Sequence, residues 1–276
     1  MSTVTVSSAA REQRVTARSV GRAKRRDQRL VMLTAYDFCF ARIFDTAGID
    51  LLLVGDSLGN VVQGEDTTLP VTLEEVIYHT RMVVRGAKRA LVVADMPFGS
   101  YHVSPEDATR NAIRLVKEGG AQAVKLEGGA FMVEVIEHIV RAQIPVMGHV
   151  GLTPQSIHQM GGYRVQGRGE AGRLQVMDDA RAVQEAGAFA CVLEGIPADL
   201  AAEVSAELAI PTIGIGAGAG CDGQVLVMHD LLGLNDWTPS FAKQYAGLGA
   251  LTAKAARAFA DEVRNEKFPD EAHSYR

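Results

Sequence analysis

The sequence predicts an α/β fold, a closed (β/α)8 barrel of the TIM type, and three observations predict it. Eight short runs of Val, Leu, Ile and Ala recur along the chain, each ending in a polar residue or glycine. Amphipathic stretches separate most of them, and no linker or composition break falls between residues 31 and 235. Glycine is plentiful at 28 residues while aromatics make up 6%, which suits short strands feeding tight turns better than a β-sandwich. Eight successive β units joined by crossover helices close into a barrel more readily than they form an open sheet.

In order, the runs are VMLTAY (31–36), LLLVGDS (51–57), ALVVADMP (90–97), AVKLEGG (123–129), IPVMGHVG (144–151), FACVLEG (189–195), IPTIGIGAG (210–218) and QVLVMHD (224–230). Helix signals lie between them: DFCFARIFDTAG after the first, SPEDATRNAIRLVKEGG after the third, FMVEVIEHIVRAQ after the fourth and MDDARAVQEAG after the fifth. Ser104 followed by Pro105, Glu106 and Asp107 has the form of an N-cap with proline at the first helical position and acids in the first turn. Ala-Gly at 47–48, Gly-Gly at 119–120 and Ala-Gly at 186–187 are C-cap signals. Beyond Trp237, FAKQYAGLGALTAKAARAFADEVRNEKF is a further helical stretch that exceeds what a barrel needs, and it is expected to pack across the barrel or on a partner subunit. The expected organisation is a basic segment, residues 1–28, then one barrel with a C-terminal helical extension, residues 29–276.

The first 29 residues hold eight Arg or Lys against two acids, a local +6 in a chain of formal charge −5, so the remainder carries −11. An acidic body argues against nucleic acid as a main partner, since phosphate binding needs a basic surface on the folded domain. The basic segment is open to two readings: a mitochondrial transit peptide, or a first helix over VTARSVGRAKRRDQRL that packs on the body or a neighbouring subunit. No apolar run approaches the roughly 18 residues of a membrane span, and no membrane partner is expected. Cys39, Cys191 and Cys221 are odd in number and lack metal-ligand spacing, which points to a reducing compartment. The expected location is the cytoplasm or, on the transit reading, the mitochondrion.

A barrel of this kind builds its active site at the C-terminal ends of its strands, and the reactive residues there are unusually acidic. Strand 2 ends in Asp56 and Ser57, strand 3 in Asp95, strand 4 in Lys125 and Glu127, strand 5 in His149 and strand 6 in Glu194. Lys125 and Glu127, two apart on a strand, share a face. Three carboxylates converging from adjacent strands repel one another unless a cation neutralises them, and oxygen ligands without Cys or paired His favour Mg2+ or Mn2+ over Zn2+. Glu194 follows the apolar run Cys191, Val192, Leu193, where partial desolvation suits a general base. His149 is open to two readings, a substrate contact or a satisfied structural histidine. The glycine-rich GIGAGAG (214–220) has the look of a phosphate cradle but runs into another strand instead of a helix, so its glycines are read as giving the backbone room.

These residues, with their neighbours, carry a resemblance. VGDSLGNVVQGEDTTLPVTLEEVIYHT (54–80), VVADMPFGSY (92–101), AVKLEGG (123–129), PVMGHVGLTPQSIHQMGGYRVQGR (145–168), VLEGIP (192–197) and PTIGIGAGAGCDGQVLVMHDLLGL (211–234) resemble the ketopantoate hydroxymethyltransferase family, in the family's order, across residues 28–262. The resemblance implies a barrel of the phosphoenolpyruvate/pyruvate-binding type and a Mg2+ ion. It implies transfer of a one-carbon unit from the co-substrate 5,10-methylenetetrahydrofolate to 3-methyl-2-oxobutanoate, giving 2-dehydropantoate on the way to pantothenate. It also implies that Asp56 and Asp95 bind the metal with Glu127 beside it, directly or through water. Ser57 and Lys125, with Asp95 and His149 lining the pocket, would hold the oxo acid, and Glu194 would remove its C3 proton. The implied assembly is a homo-oligomer, a decamer.

The segment Ser156 to Gly169, with Tyr163 and Arg164 amid four glycines, is open to two readings, a loop that closes over folate or a plain surface excursion. The rival function is a Mg2+-dependent oxo-acid carbon–carbon lyase or phosphonomutase on the same barrel, but the cysteine-bearing KKCGH-type motif of such enzymes is absent.

Overall fold

Residues 13–275 are described by a computed structural model, in which eight parallel strands close into one barrel in chain order, with the last strand paired to the first. They are β1 (Leu30–Thr34), β2 (Leu51–Val54), β3 (Leu91–Asp95), β4 (Ala123–Lys125), β5 (Val146–Gly151), β6 (Ala190–Glu194), β7 (Thr212–Ile215) and β8 (Gly223–Leu226). Each begins within two residues of one of the eight apolar runs. The helices are α1 (Ala17–Val20), α2 (Phe38–Ala47), α3 (Leu73–Gly86), α4 (Pro105–Arg114), α5 (Val133–Arg141), α6 (Ile157–Met160), α7 (Gly169–Glu185), α8 (Ala198–Glu207), α9 (Met228–Leu232) and α10 (Leu248–Arg264). The chain divides into two compact units, Met1–Val227 and Met228–Arg276.

In the first unit, alternate residues of each strand fill the barrel interior: Leu30 and Met32, Leu51 and Leu53, Leu91 and Val93, Ala190 and Val192, Ile213 and Ile215 share one buried cluster. Val20 and Ala23 belong to the same cluster, so the basic segment drives two small apolar side chains into the barrel floor at the end where the strands begin. Its charges are tied down around that floor: Lys24 pairs with Asp222 at 3.3 Å and donates to the Ser205 carbonyl, and Arg29 donates to the Cys221 carbonyl. Over residues 13–28 the packing reading therefore describes the segment, although only Ala17–Val20 and a tight turn at Lys24–Arg26 are helical. The transit reading also rests on residues 1–12, which lie outside the described residues. With its floor plugged, the barrel has its opposite end left for chemistry.

Local signals set the helix ends. The Ser104 hydroxyl accepts from Asp107 N at 3.1 Å ahead of Pro105, and Gly48, Gly120 and Gly187 stop their helices at φ of 91°, 82° and 97°. All three cysteines are free thiols, Cys39 exposed and the others buried; burial pushes the Cys191 thiol up to about 12. Among the described residues no helix is long and apolar enough to cross a membrane.

Two expectations need correction. The last run was expected to stay extended through Asp230, but β8 stops at Leu226 and Met228 opens α9, the chain turning from strand to helix with no intervening loop. The final helix was expected from Phe241, but it starts at Leu248, because Gly247 and Gly249 flank its first residue and weaken any earlier helical turn. In this second unit α10 has no buried residue, and Leu251, Phe259 and Val263 lie open at 59%, 55% and 45% exposure.

Candidate active site

The acids gather where β2 to β6 end. Strand register sets the first contacts: Asp95 closes β3 directly opposite Lys125 at the end of β4, and Glu194 closes β6 opposite Gly151 of β5. Asp56 stands two residues beyond β2, at the start of a helical turn in which Gly59 N donates to the Asp56 carbonyl at 2.9 Å. Glu127 was expected to share a strand face with Lys125, but β4 ends at Lys125 and Glu127 lies beyond it. Its neighbour Gly128, at φ 123°, ties the turn after β4 to β5 by donating to the His149 carbonyl at 3.0 Å.

Asp56, Asp95, Lys125, Glu127 and His149 are all buried, and hydrogen bonds and an ion pair connect the first three with His149. Asp56 N donates to Asp95 Oδ2 at 3.2 Å, and Lys125 Nζ lies 2.8 Å from Asp95 Oδ1. The same ammonium reaches His149 Nδ1 at 3.3 Å. An ammonium has no lone pair, so Nδ1 must accept, which leaves the ring proton on Nε2, 3.2 Å from Glu194 Oε2. Ser57, half-buried, shares a hydrogen bond of 2.9 Å with the Tyr36 hydroxyl.

Electrostatics follows from burying three carboxylates against one ammonium. Burial, then the neighbouring Asp56, raises the Asp95 carboxyl to about 7 although Lys125 opposes the shift. Glu127 is pushed well above the usual carboxylate range by burial and by Asp56 and Asp95. Burial pulls the Lys125 ammonium down, but Asp95, Glu127 and Asp56 outweigh it and hold the group above the ordinary lysine value. His149 is lowered by burial and by Lys125, so its imidazole is neutral at pH 7.

Three neutral participants escape a search by charge. Tyr36 holds Ser57. Tyr101, fully buried, and Gln155, 3% exposed, link Asp56 and Glu127 through a closed set of hydrogen bonds. Both fall inside the quoted segments VVADMPFGSY and GHVGLTPQ, where their place in the pattern is the signal that marks them. Among the described residues no three His, Cys, Asp or Glu side chains meet in a metal-holding arrangement. The glycine-rich loop after α6 carries Tyr163, whose hydroxyl is raised by burial and then by the charges of Asp56, Glu194 and Glu127. Gln166 N pins the far side of this loop to the Gly195 carbonyl at 2.9 Å.

Comparison with known proteins supplies the family. The family model for ketopantoate hydroxymethyltransferase matches residues 14–271. The chain belongs to the ketopantoate hydroxymethyltransferase family. A relative from Pelobacter propionicus, named 3-methyl-2-oxobutanoate hydroxymethyltransferase, is 56% identical over 95% of this chain and 98% of its own. One of the same name from Frankia alni is 58% identical over 96% of this chain and 88% of its own. Two solved structures share the fold at low identity. A 2,3-dimethylmalate lyase of the PEP mutase/isocitrate lyase superfamily aligns at TM-score 0.61 and 20% identity over 94% of this chain and 89% of that one. A phosphoenolpyruvate phosphomutase from Streptomyces platensis aligns at 0.62 and 14% over 95% and 92%. This member of the ketopantoate hydroxymethyltransferase family is thus a transferase on a (β/α)8 barrel. The family match reaches further than the quoted segments: it takes in the barrel-floor plug at Val20 and Ala23 and the whole of α10.

Proposed function

We propose that the enzyme transfers a hydroxymethyl group from 5,10-methylenetetrahydrofolate to 3-methyl-2-oxobutanoate, giving 2-dehydropantoate for pantothenate synthesis, with Mg2+ at the acidic end of the site. The observation that carries this reading is the unequal exposure of the carboxylates. The side chains of Asp95 and Glu127 are 1% and 3% exposed, whereas that of Glu194 is 17% exposed and faces the acidic cluster only across His149. Glu194 is the acid that an incoming molecule meets.

The residues fit a hard cation. Asp95 Oδ1 is buried with no hydrogen bond in line, and three carboxylates confront one ammonium. Mg2+ is ordinarily held by one or two carboxylates with water completing its shell, which suits Asp56 and Asp95 as direct ligands and Glu127 through water. Bound there, Mg2+ would serve as a Lewis acid toward the keto acid's oxygens.

The chain's own groups do the rest. The Ser57 hydroxyl, held by Tyr36, and the Lys125 ammonium bind the oxo acid's negative end, while Asp95 and His149 shape the pocket around it. Glu194 takes the C3 proton. His149 stays neutral, so its Nε2–H steers the Glu194 carboxylate without competing for that proton. The resulting carbon nucleophile bonds to the one-carbon unit, both of whose bonds to folate nitrogen break as tetrahydrofolate leaves; water supplies the hydroxyl, and its other proton and the C3 proton end on the two folate nitrogens. The Tyr163 loop covers the folate side.

The test is isotope exchange. Folded protein with Mg2+ is expected to carry the C3 proton of 3-methyl-2-oxobutanoate into D2O without folate, followed by NMR; absence of exchange in folded, Mg2+-loaded protein overturns the reading.

A pH dependence follows from Asp95. Its carboxyl titrates near 7 in the folded metal-free chain against an ordinary 3.8, so between those values the folded state binds more protons and stability falls as pH rises. A bound cation displaces that proton. The gain in melting temperature on adding Mg2+ is therefore expected to be small at pH 5 and to grow toward pH 8, and an equal gain at both contradicts the assignment.

We propose further that the enzyme is a cytoplasmic homo-oligomer, with the decamer as its implied size. The exposed stripe Leu251, Phe259 and Val263 on α10 supports self-association. A Leu251→Asp, Phe259→Asp double variant is expected to have a smaller particle mass by light scattering, and an unchanged mass removes α10 from the interface.

A further inference from the structure

We propose that Gln155, its amide orientation locked by Tyr101, is a positioning residue that fixes the Asp56 carboxylate for a divalent cation. The inference rests on the metal reading above.

Gln155 sits in the tight turn Pro154–Ser156 that follows β5, and every polar group it carries into the site has a partner. Its backbone N–H donates to Glu127 Oε2 at 2.9 Å. Its Nε2 donates to Asp56 Oδ2 at 2.8 Å and to the Met96 carbonyl at 3.0 Å, and its Oε1 accepts from the Tyr101 hydroxyl at 2.6 Å. One residue thereby grips two acids that leave the barrel from different strands.

Counting protons shows why the amide cannot turn over. The Tyr101 oxygen already accepts the Glu127 backbone N–H at 3.2 Å, and its single proton goes to Gln155 Oε1. Both Nε2 protons then have to meet the two remaining acceptors, Asp56 Oδ2 and the Met96 carbonyl. A flipped amide would set its oxygen against those two acceptors and leave the Tyr101 proton without an acceptor, and buried polar groups left unpaired cost more than a hydrogen bond ordinarily contributes. Tyr101 is fully buried, so water cannot relieve the mismatch. The Asp56 carboxylate is thus held in one rotation before any cation arrives, and outer partners of this kind tune metal affinity by orienting the ligand.

The test measures Mn2+ binding by the metal-free full-length enzyme, without oxo acid, from loss of the free-ion EPR signal. Wild type, Tyr101→Phe and Gln155→Met are compared, with melting temperature in EDTA recorded for each. Both variants are expected to bind Mn2+ about 10-fold more weakly or worse. A merely structural role would lower the melting temperature and leave the affinity of the folded protein unchanged. If wild type binds and either variant binds equally well, the lock is overturned while the metal reading stands. If folded wild type fails to bind Mn2+, the metal reading falls and this inference with it. Tyr101→Phe keeps the ring volume, so it decides the matter should Gln155→Met fail to fold.

Discussion

Glu194→Gln is expected to slow exchange of the C3 proton of 3-methyl-2-oxobutanoate by about 10³-fold or more, while the oxo acid and Mn2+ bind within about twofold of wild type; loss of a positioned general base costs roughly 10² to 10⁴. The two side chains have nearly the same shape, so the glutamine oxygen can occupy the place of the carboxylate oxygen that lies 3.2 Å from His149 Nε2. What disappears is the basic oxygen. Because Glu194 faces the other acids only across His149, removing its charge is expected to spare the proposed metal end, so that the effect falls on the chemical step and not on binding. Exchange by the variant at a rate near wild type would take Glu194 out of the proton transfer. Exchange lost together with Mn2+ binding would show instead that Glu194 belongs to the metal end.

The barrel was legible because its signals are local. Glycine at 48, 120 and 187 and the Ser104 cap write helix ends within three or four residues, and the period of apolar runs writes the strands. That the charged candidates would gather at one end was legible once the strands were placed, since each lies at or just beyond a strand's C-terminal end. Glu127 was placed on the strand because spacing alone does not say where a ladder stops, and three residues of β4 suffice to pair it with both neighbours. Gln155 and Tyr101 were missed for a different reason. Their importance lies in contacts that span 99 residues to Asp56 and 54 residues between themselves, and neutral side chains do not advertise long-range partners. For His149 the sequence could not show its neighbours, Lys125 on one ring nitrogen and Glu194 beside the other, because both lie on other strands.

Lys125→Met is expected to destabilise the metal-free enzyme by about 3 to 5 kcal/mol at pH 8, the usual cost of stripping one partner from a buried ion pair, and to slow proton exchange by about 10²-fold or more. Methionine fills the lysine stem's space, so the deficit is one of charge: Asp95 loses its partner at 2.8 Å, and the Asp56, Asp95 and Glu127 carboxylates repel with nothing between them. The penalty should shrink as pH falls toward 5. There Asp95 and Glu127, already raised with Lys125 present and further raised without it, take up protons and cease to be unpaired charges. His149 works in the same direction, because the variant removes Lys125, which together with burial holds the imidazole below its ordinary value. Denaturant unfolding in EDTA at the two pH values measures this directly. A penalty that is equal at both, or below about 1 kcal/mol at pH 8, would mean that Lys125 does not neutralise the acids, and the case for a cation among them would have to rest on something other than the balance of charge.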